Sequence, residues 1–298
     1  MSVINLVNVI SKITHGPLIS FFPLSFVSLY WQMQQALKSK QLAEILTTTF
    51  KTKKLVELRE IARSSGIYQQ GTKSDLIQRL VNELPSKTPS SILSFDLGYR
   101  NLAYCVVTQD ATILDWARID LELTTFHPST VAPVVRKFIR DRIEHNMKAV
   151  DLVLVEQQRA RSNGSWTVLE HTLRVNSIEG MIWYGLYETA NNIKRPDLDM
   201  IALSRQKVDA AWESELQQAA ALTAVNSRTT YKKKQATVRL VQNWLDEKEN
   251  SVIKLDDRLK NMFREEPKKD DLSDCLLQAL AWYKWQQFRQ SYVHLLTG

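Results

Sequence analysis

Residues 91–120 read SILSFDLGYRNLAYCVVTQDATILDWARID. Three β-rich runs are separated by turn signals at Leu97–Asn101 and Gln109–Ala111, the pattern of an antiparallel meander. Asp96 stands inside the first, apolar run. An unpaired charge there costs several kcal/mol, so Asp96 needs a partner, either a bound cation or an Arg or Lys of the protein.

Downstream, a helical stretch over Pro128–Met147 leads into AVDLVLVEQQRARSNGS, residues 149–165. Val150–Val155 reads as a buried strand that ends on Glu156. The loop after it carries Gln157, Gln158, Arg159 and Arg161, groups suited to phosphate. A third acidic position lies in PKKDDLSDCLLQALAWYKW, residues 267–285, where Pro267 precedes a helix with Leu272, Leu276, Leu277, Leu280 and Ala281 on its apolar face. Asp270 and Asp274 are spaced i,i+4, and Asp271 and Asp274 i,i+3, so either pair shares a face. Helix capping accounts for one acid in a first turn, but not for Asp274 further in. A strand Asp, a strand-end Glu and an Asp pair opening the last helix are hard oxygen donors, which select Mg²⁺ or Mn²⁺ over zinc. Two such ions per active site would clamp the attacking water and the leaving oxygen of a phosphodiester. Lys268 or Lys269 beside them would neutralise the scissile phosphate.

The charge balance agrees with a polyanionic partner: net charge is +7 and the pI about 9.3. Residues 1–43 carry Lys12, Lys38 and Lys40 and no acid, and residues 44–87 carry eight Lys/Arg against five Asp/Glu. The first forty-three residues are expected to be an organellar transit segment, since they carry no acid and Pro17–Trp31 is too short and too broken by Pro23 to span a membrane. Cys105 and Cys275 supply no disulfide framework or zinc cluster, and the five histidines are scattered without ligand spacing.

Residues 51–84, KTKKLVELREIARSSGIYQQGTKSDLIQRLVNEL, show two short helical periodicities: Leu55, Leu58, Ile61 and Ala62, then Leu76, Ile77, Leu80 and Leu84. Gly66 and Gly71 punctuate the middle, and Ser74 is the expected N-cap of the second helix. Two such helices bury little surface, so the unit would be marginal alone. Pro85–Ser91 follows as a linker. Between Leu216 and Leu245 there is no acid, while Lys232, Lys233 and Lys234 stand together near Arg228 and Arg239. A long helix follows residue 165, with Leu169, Leu173, Ile178, Ile182 and Leu186 expected on one side.

FDLGYRNLAYCVV, VEQQRARS and KKDDLSDCLLQALAW, in that order, are similar to the fungal mitochondrial Holliday junction resolvases, relatives of bacterial RuvC within the RNase H-like superfamily. The resemblance covers residues 91–298, and residues 50–85 resemble a SAP-type DNA-binding module. It implies an α/β fold of the RNase H-like kind, a mixed central sheet flanked by helices, with the small helical module in front. It also implies a Mg²⁺-dependent endonuclease that resolves four-way DNA junctions by symmetric paired nicks. Asp96, Glu156 and Asp274 become metal ligands and catalytic residues, and an additional acid falls on Asp270 or Asp271. Lys53, Lys54, Lys73 and Arg79 of the SAP-like module would contact phosphates, as would the loop and helix cations Arg159, Arg161, Lys232, Lys233, Lys234, Lys268 and Lys269. Family members pair through the long helix into a two-fold dimer, so a homodimer on junction DNA is expected, without stable membrane association. Two alternatives remain open: another RNase H-like nuclease acting on RNA–DNA hybrids or flaps, and a non-catalytic mitochondrial DNA-binding scaffold.

Overall fold

The computed structural model of the protein describes residues 24–98, 101–158, 169–221, 229–247 and 251–297. Its centre is a five-stranded sheet of order β3-β2-β1-β4-β5, built from β1 (Ser91–Asp96), β2 (Asn101–Thr108), β3 (Ile113–Asp120), β4 (Leu152–Glu156) and β5 (Asp199–Leu203). The first three strands form the antiparallel meander that their turn signals predict. β4 then joins β1 in parallel, with Phe95 opposite Val155, and β5 joins β4 in parallel, with Glu156 opposite Leu203. The sheet is therefore mixed.

Strand alternation sorts the side chains into two cores. Leu93 and Phe95 of β1 and Val153 and Val155 of β4 face α4 (Pro128–Phe138) and α6 (Glu170–Asn192). A π-helical turn over Ile139–Ile143 and the short α5 (Glu144–Met147) continue α4 toward β4. Ile92 of β1 and Leu152 and Leu154 of β4 face the opposite layer, made by α7 (Arg205–Ala211), α8 (Glu213–Ala221), α9 (Thr229–Asp246), α10 (Asp257–Glu265) and α11 (Lys269–Thr297). Asp96 and Glu156 have the parity of that second set, so both strand ends carry their acids toward α11.

The first half of α11 is fastened to the sheet and to the α7–α8 junction through specific contacts. Trp116 Nε1 donates to Leu272 O at 3.0 Å, Trp212 Nε1 to Leu277 O at 3.0 Å, and Gln278 Nε2 to Ser94 Oγ and Phe95 O at 3.0 and 3.1 Å. Arg118 of β3 grips Glu266, just before the helix, at 2.7 Å. Cys105 and Cys275 are both free thiols buried in this interface.

Its second half carries the N-terminal helices. α1 (Leu24–Thr52) runs through the boundary expected near residues 43–50, and residues 1–23 of the expected transit segment lie outside the described residues. Leu46 and Phe50 of α1 share a core with Leu58, Ile61 and Ala62 of α2 (Leu55–Ser64) and Leu76 and Leu80 of α3 (Lys73–Glu83). Phe288, Tyr292, Val293 and Leu296 of α11 close it. The two short helices thus obtain from α1 and α11 the apolar surface that they lack. The cap of α3 is Thr72 rather than Ser74: Thr72 Oγ1 accepts from Asp75 N at 3.3 Å, and Asp75 accepts from Thr72 N at 2.9 Å. This reciprocal box starts the helix one residue before Ser74.

Gly66 joins this module to α11. Its φ is +67°, and a Cβ there would lie 2.3 Å from Cδ2 of Trp285. Gly66→Ala therefore combines a left-handed backbone with a clash against a buried ring, and should cost at least ~1–2 kcal/mol in urea unfolding. An unchanged midpoint would show that the module and α11 are not coupled.

Candidate active site

Asp96 and Glu156 end adjacent parallel strands, and Asp274 lies on the face of α11 that covers them. The three line one pocket with Arg205, Val208 and Gln278. Gly98 makes the turn after Asp96 possible: a Cβ there would stand 2.3 Å from Asn101 O. Asp270 and Asp271 occupy the first turn of α11.

The electrostatics follow from burying several carboxylates together. Burial first, and then the hydrogen bond to and the charge of Glu156, push Asp96 well above the ordinary carboxylate range. Burial also raises Asp274, against the opposing charge and hydrogen bond of Arg205. Burial and the neighbouring Asp270 push Asp271 up to about 6. Asp270 behaves differently: burial works to raise it, but Lys234, paired with it at 2.6 Å, holds it below the usual range.

These contacts separate the two acids left open by sequence. Asp270 already has a cation in Lys234, whereas Asp271 Oδ2 is buried with no hydrogen-bond partner among the described residues. A divalent cation suits this donor set, since buried oxygens crowded against like charge call for a proton or a metal between them. No three of the described His, Cys, Asp and Glu side chains are gathered as a ready coordination shell. Arg205 instead holds Asp274 through Nη1–Oδ2 at 2.5 Å and Nη2–Oδ1 at 2.6 Å, and Asp96 turns to Glu156.

The basic residues divide. Lys234 of α9 reaches the acids directly, while the side chains of Lys232 and Lys233 lie outside the described residues. Lys268 is exposed, but Lys269 Nζ donates to Arg264 O and Glu266 O, both at 2.8 Å, and so ties the α10–α11 turn. Arg159 and Arg161 lie outside the described residues. On the module, Lys54 is exposed and Lys53 half-buried, both at the α1–α2 junction. Lys73 donates to Lys51 O at 3.0 Å, and the Arg79 guanidinium is held by the carbonyls of Tyr68 and Gln70.

Arg205 and Gln278 were not singled out in the sequence. Neither has a spacing that marks it, because Arg205 meets Asp274 across 69 residues and Gln278 meets Ser94 across 184. Glu179 of α6 is a further unread acid: it accepts from Gln158 N at 3.3 Å, and burial raises it above its ordinary value.

A mixed sheet whose adjacent central strands end in acids, faced by an acid-bearing C-terminal helix, defines the RNase H-like class of α/β proteins. The family described as mitochondrial resolvase Ydc2 / RNA splicing MRS1 matches over residues 92–266 and 248–292, and the chain belongs to it. The mitochondrial cruciform cutting endonuclease 1 of Schizosaccharomyces pombe is 29% identical over 257 residues, covering 79% of this chain and 93% of that protein. The crystal structure of the yeast mitochondrial Holliday junction resolvase Ydc2 superposes with a TM-score of 0.59 at 24% identity. It covers 82% of this chain and 99% of that one, a likeness of fold.

Proposed function

We propose that this chain is a metal-dependent endonuclease of mitochondria that resolves four-way DNA junctions by paired symmetric nicks in mitochondrial DNA recombination and segregation. The observation that carries the reading is the convergence of Asp96, Glu156 and Asp274 in one pocket of an RNase H-like sheet, with Asp271 beside it. Binding DNA alone would not require several buried acids whose crowding costs stability.

Asp96, Glu156, Asp271 and Asp274 would hold Mg²⁺, with Mn²⁺ as a substitute and two ions per site. Bound there, the metal supplies a polarised water for in-line attack on the phosphodiester. Gln278 holds the backbone of the strand end beside Asp96, and Lys234 keeps a positive charge at the edge where a phosphate would enter. Lys53, Lys54 and Lys73 suit backbone contacts that add affinity without reading sequence.

A four-way junction has approximate two-fold symmetry, so paired cuts call for two copies of the site. Pairing through the long helix, α6, is supported by the apolar positions on its outward face. Ile178, Ile182 and Leu186 are buried against the sheet, while Leu169 and Leu173 point outward, so these five do not share one side. Steps of about 100° per residue turn Leu173 and Ile178 well apart. The outward stripe is instead Leu173, Ser177, Gly180, Tyr184 and Tyr187, at alternating steps of four and three residues. Leu173, Tyr184 and Tyr187 are 54%, 72% and 55% exposed, and nothing lies within 4 Å of a Cβ placed on Gly180. That heptad pattern suits a second copy of α6 packed closely at Gly180. No described helix is long and apolar enough to cross a membrane.

The test is cleavage of a synthetic four-way junction in Mg²⁺ beside duplex, flap and RNA–DNA hybrid, with Asp274→Asn as control. Paired nicks confined to the junction and lost in the variant are expected. Cutting of hybrid or flap instead would overturn the substrate, and binding without cutting would return the scaffold reading.

A further inference from the structure

Arg205 is the second residue after β5, whose last residue, Leu203, is the register partner of Glu156. It opens α7 and turns back over the strand ends to reach α11. Its guanidinium covers both oxygens of Asp274, at 2.5 and 2.6 Å. Its remaining edge is tied to its own helix, with Nε donating to Asp209 Oδ1 at 3.2 Å. The pocket around it is lined by Asp96 and Glu156 as well as Asp274.

This arrangement forces a choice on Asp274. A fork-to-fork pair uses both carboxylate oxygens, leaving poor access for a divalent cation. A guanidinium does not lose its proton in proteins, so the charge leaves Asp274 only if the side chain moves. Movement is open to it: the side chain is 27% exposed, and its Nε has a second carboxylate partner in Asp209.

We infer that Arg205 is an exchangeable internal counter-ion, seated on Asp274 when no divalent cation is bound and displaced from it when one enters. The inference rests on the metal-dependent reading of the site. It makes metal affinity the outcome of a competition between Arg205 and the ion for one carboxylate. A guanidinium that only braced α7 against α11 would set stability and leave that affinity alone.

Arg205→Gln separates the two. Mn²⁺ binding by titration calorimetry should tighten by about tenfold, the order of one lost charge-assisted contact. The unfolding temperature without metal should fall, because Asp274 loses its partner, while the rise on adding Mn²⁺ should exceed that of the wild type. Equal losses of stability with and without Mn²⁺, at unchanged or weaker affinity, would overturn the inference. Arg205→Lys keeps the charge but not the fork, and should bind Mn²⁺ more tightly than wild type but less tightly than Arg205→Gln. If the Gln variant does not fold, a Lys variant no tighter than wild type would equally overturn it. Junction cutting by the wild type is followed in parallel. Its absence sinks the nuclease reading, whereas normal cutting with unchanged affinity in the variants sinks this inference alone.

Discussion

Asp96→Asn is expected to abolish junction cutting and, in the same molecule, to raise the stability of the metal-free protein. Cutting should fall by about 10²–10³-fold or more, the scale on which removal of a single preorganised electrostatic group acts. The gain in stability comes from charge. Asp96 is raised well above its ordinary value of 3.8 by burial and by Glu156, Asp274 and Asp271 around it. At pH values between the ordinary and the raised value, the folded protein holds a proton that the unfolded chain has released. Stability therefore declines as pH rises through that window, and the full penalty remains above it. Asn keeps the shape without the charge, so at pH 8 in EDTA the variant should melt higher, by about 2–4 °C for each kcal/mol relieved. Mg²⁺ should stabilise the wild type and have little effect on the variant. A lower melting temperature in EDTA, or retained cutting, would contradict the charge-cluster account.

The second large effect is expected on α6. Leu173→Asp with Tyr184→Asp sets charges into the outward stripe while leaving the buried face of Ile178, Ile182 and Leu186 untouched. Two copies packed through this stripe would then face like charges in an apolar seam, which costs several kcal/mol. The variant should sediment as a monomer at micromolar concentration. Paired nicks made within one complex should fall by more than about tenfold, the change that 1.4 kcal/mol produces. Single nicks should persist, because the pocket of Asp96, Glu156 and Asp274 lies on the opposite face of the sheet from α6. A variant that stays dimeric, or a monomeric wild type that cuts in pairs, would remove α6 from the interface.

Much of the centre was legible in the chain because its signals are local. The meander of β1–β3 follows from alternation and turn residues, and Asp96 betrays itself as a charge in an apolar run. Glu156 and Asp274 are similarly marked, one ending a buried strand and the other set among the apolar positions of a helix. The single side expected for Leu169, Leu173, Ile178, Ile182 and Leu186 does not hold, since the apolar positions of α6 are shared between two faces and composition does not say which face meets the sheet. The small module was read as two helices because the apolar surface that completes it comes partly from α11, far along the chain, and partly from α1, most of whose span falls in the expected transit segment.

The sequence by itself determined which residues carry charge in apolar runs, and hence that Asp96 needs a partner and that Glu156 and Asp274 join it as candidate oxygen donors. It also set the strand parity that turns Asp96 and Glu156 to one face. Tertiary structure alone decided which cation meets which acid. Lys234 falls on Asp270, Arg205 falls on Asp274, and one oxygen of Asp271 is left without a described partner. The reason is physical: alternation along a strand acts over two residues, whereas an ion pair between positions 36 or 69 apart in sequence depends on distances set only once the sheet and its helices have packed.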